Sequence, residues 1–182
     1  PRQHPHFQVG YIGTVDYSKM HAGYLAMHAA VQVPEARYIV CGGSQEAALR
    51  RQAESMGVGD RFEIRGHVKN VGQVLETLDV FGYPLQPRHY GASEVAVIEA
   101  MAAGVVPVVL RNGCESYLVQ DGVTGLVAEG PAEYSRAIEY LYRHPHRRRQ
   151  LAEQARQAAR RRFRLSCTTA AWRKIYAEVA DL

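Results

Sequence analysis

The sequence predicts a three-layer α/β/α domain on a mainly parallel, doubly wound, six-stranded sheet, and three observations predict it. Short apolar runs alternate with segments of helical period along the chain, the pattern of strand–helix units whose strands are covered on both faces. No hairpin signal interrupts that alternation. The length of 182 residues suits one such domain and is short for two. Right-handed crossovers and six strand–helix units predict the strand order 3-2-1-4-5-6.

The first strand is read at Gln8–Ile12, followed by a helix over about residues 20–32, with Leu25, His28, Ala29 and Gln32 at helical spacing. Ala36–Cys41 is the second strand and ends in Gly42-Gly43. Ser44 is the expected N-cap of a helix over Gln45–Met56, because its hydroxyl can accept an orphan backbone N–H. Arg61–Arg65 is read as the third strand, Gly72–Leu78 as a short helix and Asp79–Leu85 as the fourth strand. Ser93 is the expected cap of an apolar helix that runs to Ala103, where Gly104 supplies a left-handed end. Val105–Leu110 and Gly125–Ala128 are the fifth and sixth strands. Pro131 suits the first position of the next helix, since its missing N–H would be unpaired there anyway. Helices over 131–142, 146–162 and 166–180 complete the chain. Residues 1–7, with no apolar stretch of a signal peptide, read as a linker or the cut end of a longer chain, and residues 8–182 as the domain.

Composition narrows the function classes. The chain is 47% hydrophobic and 22% charged, as ordinary globular domains are. Its apolar run Val105–Leu110 is a strand's length and far below the roughly 20 residues of a membrane helix. Three widely spaced cysteines, Cys41, Cys114 and Cys167, match neither a disulfide framework nor a zinc site, so a reducing, cytoplasmic setting is expected. The net charge of +4 is local: 11 of the 22 Lys and Arg lie between Arg143 and Lys174. That basic C-terminal stretch reads first as a solvated helical face, with peripheral contact to an anionic membrane as the alternative. No aromatic interleaving supports nucleic-acid binding. No His, Asp or Glu cluster has metal-ligand spacing, so neither a metal nor another cofactor is expected.

In doubly wound sheets ligands bind beyond the carboxyl ends of the strands, where strand order reverses. This places residues 13–19, Gly42-Gly43, residues 66–69 and residues 89–95 around one crevice. The first loop lacks the G-x-G-x-x-G of dinucleotide binding, which argues against a dehydrogenase. Gly13 still permits close backbone approach to a phosphate, and Lys19 can bring a cation to it. The loop at Gly91 enters the helix of residues 93–103, whose first free N–H groups are a ready anion site. Glu94 and Glu99 are five residues apart and do not share a helix face. Glu99 is the only charge in Val95–Val109, so its carboxylate is expected either to be paired or to take hydrogen bonds from a ligand such as a ribose diol.

The segment from Glu99 to Val109, EAMAAGVVPVV, resembles the E-A-M-A-x-G-x-P-V-V signature of the C-terminal domain of GT-B glycosyltransferases of the retaining family 4 type, with one extra residue before the proline. Gly13 with Lys19 resembles the family's G-R-x-x-x-x-K-G loop, Gly42-Gly43 its G-x-G turn and Phe62–Val68 its F-x-G-x-V strand. Asp121–Val127 resembles the D-G-x-T-G-L-V turn and Trp172–Tyr176 the closing helix. The resemblance implies a Rossmann-like donor-binding half of a GT-B enzyme that transfers a hexosyl group from a UDP-, GDP- or ADP-sugar to an acceptor hydroxyl with retention and without a metal. It implies that Glu99 holds the ribose, Lys19 the diphosphate, the backbone of Val95 and Ala96 the donor phosphates, and Gly66-His67-Val68 the base. The acceptor would lie on an N-terminal domain outside these residues, leaving this chain inactive alone. Two departures stand out. Thr14 replaces the family's phosphate-binding Arg, and the first Glu of the family's E-x7-E pattern falls at Gly91, leaving Glu94 as the nearest carboxylate and the candidate catalytic residue. A sugar-nucleotide epimerase of the same fold and a non-catalytic nucleotide-binding domain are the alternatives.

Overall fold

The computed structural model describes residues 5–91 and 93–180. The elements run β1 (Phe7–Ile12), α1 (Tyr24–Ala29), β2 (Ala36–Cys41), α2 (Glu46–Ser55), β3 (Phe62–Gly66), α3 (Val71–Leu75), β4 (Val80–Tyr83), α4 (Val95–Ala103), β5 (Val106–Leu110), α5 (Gly113–Leu118), β6 (Leu126–Ala128), α6 (Pro131–Arg143), α7 (Pro145–Arg162) and α8 (Leu165–Ala180). The strands form one sheet in the order β3-β2-β1-β4-β5-β6, and all five neighbouring pairs are parallel. Strand order reverses between β1 and β4, so the crevice at their carboxyl ends is where a ligand is expected. Every residue of β4 and β5 is buried, as central strands covered on both faces require.

Element boundaries shifted where tertiary contacts overrode local signals. The first helix is short, because the backbone N–H groups of Lys19 and Met20 are captured by the Asp16 carbonyl and Met20 bridges to Leu85. Residues 19–23 therefore belong to a loop pinned to the end of β4. Ser44 is not the cap of α2. Drawn into a bridge with Val15, it takes a positive φ of 123° and turns its hydroxyl to Asp16, leaving Gln45 as an N-cap without a side-chain bond. Ser93 does not cap α4 either; Glu94 occupies that position. Phe7, read as part of a linker, is buried in β1. Helix α5 was not anticipated. Two expectations held: Gly104 closes α4 at φ 76°, and Pro131 opens α6.

Helix α7 packs on α4, which fixes the helix that borders the crevice. Several of its arginines have structural partners. Arg148 pairs with Asp79 at 3.0 Å, Arg147 donates to the Gly122 carbonyl at 2.6 Å, and Arg162 lies over the Tyr117 ring. Helix α8 buries no side chain, and Leu165, Trp172, Ile175, Tyr176 and Val179 are exposed along it. Among the described residues no helix is long and apolar enough to cross a membrane.

Candidate functional site

The carboxyl ends of β1, β2 and β3 surround a cavity of about 360 Å³ lined by Gly13, Thr14, Gly42, Gly43, His67 and Val68, among others. Its floor is a close meeting of three backbones. Gly13 N–H donates to Cys41 O at 3.0 Å, and Gly42 N–H donates to Gly66 O at 2.7 Å. A Cβ on Gly42 would stand 1.7 Å from Gly13 O, and its φ of 141° disfavours any other residue. The glycines at the strand ends thus let the loops approach closely enough to form a slot. Three of the four loops picked from the sequence border it.

The fourth loop, residues 89–95, joins through Tyr90, whose hydroxyl bonds to Thr14 Oγ1 at 3.1 Å. Ala92 of this loop lies outside the described residues. Thr14, where the resemblance leads one to expect an arginine, is tied to Tyr90 and accepts a bond from Tyr11 through its carbonyl.

Beside the slot lies a buried polar cluster centred on Glu94. Lys19 Nζ sits 3.1 Å from Glu94 Oε2, and Tyr83 donates its phenolic O–H to the same oxygen at 2.7 Å. Lys19 is held in place by its loop: its carbonyl accepts from Gln86 N–H, and the Asp16 carboxylate caps the turn through Ser18. Burial pushes the Tyr83 hydroxyl far above its ordinary range, with Tyr11 and then Glu94 adding to the shift, so it serves as a donor and stays protonated. Glu94 Oε1 is buried and has no hydrogen-bond partner among the described residues. The Glu94 backbone is left-handed, at φ 34° and ψ 55°, a conformation that costs a non-glycine residue about 1–2 kcal/mol.

His89 connects this carboxylate to a second one. Gly91 N–H donates to His89 Nδ1 at 3.0 Å, so Nδ1 is the bare nitrogen and Nε2 carries the proton. Nε2 faces Glu115 Oε1 at 3.2 Å, and Asn112 donates to the same oxygen at 3.2 Å while also reaching the Leu85 carbonyl. Glu94 and Glu115 side chains are fully buried and His89 nearly so. Sequence reasoning missed Tyr83, Asn112 and Glu115. The available signal was an acidic residue inside a short segment that follows a wholly apolar strand.

The space around Gly91 accounts for the departure from the E-x7-E pattern. A Cβ built on Gly91 would fall 1.8 Å from Glu94 Oε1. The Glu94 carboxylate therefore occupies the room that a side chain at position 91 would enter.

Glu99 required a correction of its environment. It is exposed on α4, so its charge is open to solvent and has no buried partner among the described residues. The apolar helix buries Val97, Ala100 and Met101 instead. Val95 is exposed and Ala96 half-buried in the first turn, where backbone N–H groups lack intrahelical acceptors.

Comparison with known proteins agrees with this architecture. Residues 2–158 match the family described as glycosyl transferases group 1. The chain is 25% identical over 145 residues to a D-inositol 3-phosphate glycosyltransferase of Mycobacterium leprae, covering 74% of this chain and 33% of that protein. It is 30% identical over 103 residues to sucrose synthase 2 of rice, Oryza sativa subsp. japonica, covering 48% of this chain and 13% of the relative. Among solved structures, Anabaena HepE in complex with UDP and glucose superimposes with a TM-score of 0.81 at 19% identity, over 97% of this chain and 49% of that one. Sucrose-phosphate synthase from Thermosynechococcus elongatus gives a TM-score of 0.84 at 19% identity, over 97% and 46%. The chain spans about half the length of these structures and a third or less of the curated relatives. With most of its residues matched, and with the fold of such enzymes, the chain belongs to the glycosyl transferases group 1 family.

Proposed function

We propose that these residues form the nucleotide-sugar donor site of a glycosyltransferase that moves a hexosyl group from a nucleoside diphosphate sugar to an acceptor hydroxyl with retention. The observation that carries this is a backbone-lined slot at the ends of β1, β2 and β3, joined through Tyr90 to Lys19 and the N-terminus of α4 at the β1/β4 switch point. In this reading the base edge meets the backbone of Gly66-His67-Val68, and Glu99 reaches the ribose from the solvent side. Lys19 and the first N–H groups of α4 at Val95 and Ala96 take the diphosphate, whose charge they complement. Glu94, standing where a side chain at position 91 would project, is the carboxylate of the sugar subsite. The UDP and UDP-glucose held by structurally similar proteins support a uridine donor as the first to test. The acceptor would be held by a second domain outside these residues, which leaves this chain a binding module.

The test is a thermal-shift panel of UDP, GDP, ADP and their sugars on this chain. A ligand that binds only the folded state at a hundredfold excess over its Kd raises stability by roughly 2.7 kcal/mol. A shift with one nucleotide series supports the reading, and none with any member contradicts it.

A further inference from the structure

Resting on the reading of Lys19 as the diphosphate ligand, we propose that His89 is a positioning residue that takes up a proton when the donor binds, replacing Lys19 as the cationic partner of Glu94.

With Lys19 engaged elsewhere, the buried cluster of two carboxylates loses the cation that faces Glu94. In the free chain Glu94 has Lys19 and Tyr83 on Oε2, while Oε1 is orphaned. Glu115 is the second fully buried carboxylate, and His89 between them is neutral, because Nδ1 accepts from Gly91. A diphosphate that draws the Lys19 ammonium leaves Glu94 with one phenol as partner. An uncompensated buried carboxylate is costly, so a cation must replace the lysine or the group must neutralise.

His89 is placed to supply that cation. Its Nδ1 lies 3.6 Å from the orphaned Glu94 Oε1. A charge-assisted N–H···O bond of about 2.8 Å needs a closure of about 0.8 Å, at the cost of the Gly91 bond. Nε2–H would stay on Glu115, itself fixed by Asn112, so the ring keeps one anchored edge while the other changes partner. The proton comes from solvent and lodges on Nδ1. The ionisable groups around His89 are Glu94 at the N-cap of α4, Glu115 and Cys114 of α5, Tyr83 of β4, Lys19 of the first loop, and Arg88 and Tyr90 of its own loop. The two carboxylates that face the ring favour its protonated form, and Lys19, which opposes it, is the one the ligand draws off. Burial pushes the Cys114 thiol and the Tyr83 phenol up, so neither adds charge near neutrality.

Isothermal titration of the chain with UDP-glucose, GDP-mannose and ADP-glucose, each in two buffers of different ionisation enthalpy near neutral pH, reads the proton count. Each phosphate of a nucleotide sugar carries one ester and one anhydride linkage and keeps a single strongly acidic oxygen, so the ligand itself exchanges no proton near neutral pH. The expected result is uptake approaching one proton per bound ligand, falling toward zero in His89→Gln and in Lys19→Met. In the latter no lysine is withdrawn from Glu94. Should a variant fold poorly, ¹⁵N NMR of the wild-type His89 ring gives the same answer, with one bare nitrogen in the free chain and two protonated nitrogens in the complex. Binding without proton uptake, equal uptake in His89→Gln, or an unchanged ring overturns this inference and leaves the donor-site reading intact. No binding of any of the three sugars overturns both.

Discussion

Glu94 Oε1 lies 1.8 Å from where the Cβ of a residue at position 91 would stand, so the Glu94 carboxylate and a side chain at Gly91 exclude one another. Gly91→Glu alone should clash and lower stability by about 1–3 kcal/mol. Glu94→Gly removes the clash and places glycine at a left-handed backbone position that suits it. In the double variant the new carboxylate at 91 should enter the vacated room, and stability should recover. Denaturant melts of the four chains check this; strictly additive losses would contradict the shared space.

Gly42 and Gly43 are adjacent but not equivalent. Gly42→Ala drives a Cβ into Gly13 O at a positive φ, whereas a Cβ on Gly43 meets nothing nearer than Glu46 Oε1 at 3.7 Å. Gly42→Ala should cost about 2–3 kcal/mol or more and abolish nucleotide binding, through strain and a backbone clash. Gly43→Ala should be near neutral in stability. Thermal melts and nucleotide titration of both variants test the distinction.

His28 gives the fold a pH dependence of known sign. Its ring is fully buried, with Nδ1 donating to Tyr24 O at 2.7 Å and Nε2 taking a bond from the Tyr134 hydroxyl at 3.2 Å. Burial pushes its pKa down from 6.5 to about 4. Above pH 6.5 both folded and unfolded chains hold it neutral and it contributes no slope. Between pH 6.5 and about 4 only the unfolded chain binds the proton, so stability falls as pH falls, by about 3 kcal/mol in all. Denaturant melts across this window should show that loss, and His28→Gln should remove this component of the slope.

Glu99 is exposed, so its replacement by Gln should leave the fold intact. If it accepts bonds from the ribose, Glu99→Gln should weaken nucleotide binding by about 1–2 kcal/mol, roughly five- to thirtyfold. A 2′,3′-dideoxynucleotide should lose a similar amount against the wild type and little more against the variant. Additive losses in that cycle would remove Glu99 from the ribose subsite.

The layer order and strand order were legible because the signals behind them are local and repeated. Val105–Leu110 reads as a central strand from its apolar run alone, and Gly104 and Pro131 mark helix ends through their own backbone constraints. Helix caps were less legible. Ser44 and Ser93 have the chemistry of N-caps, but Val15 draws Ser44 into a bridge, and α4 begins two residues beyond Ser93, at Val95, with Glu94 as its N-cap. The charge of Glu99 within an apolar segment suggested a carboxylate that is either paired or bonded to a ligand. Only the angular position on α4, which turns Val97, Ala100 and Met101 inward, shows it to be exposed. The ties among Lys19, Glu94, His89 and Glu115 join residues up to 75 positions apart, and no spacing rule in the sequence foretells them.

The measurement that bears most directly on the donor-site account compares nucleoside diphosphate with nucleoside binding in the wild type and in Lys19→Met. The account predicts that the wild type binds a nucleoside diphosphate more tightly than its nucleoside. It also predicts that Lys19→Met removes most of that difference, about 1–3 kcal/mol, while nucleoside affinity stays nearly the same. Equal weakening of both ligands, or diphosphate binding unaffected by the loss of Lys19, would contradict a phosphate subsite at the Lys19–Glu94 pair.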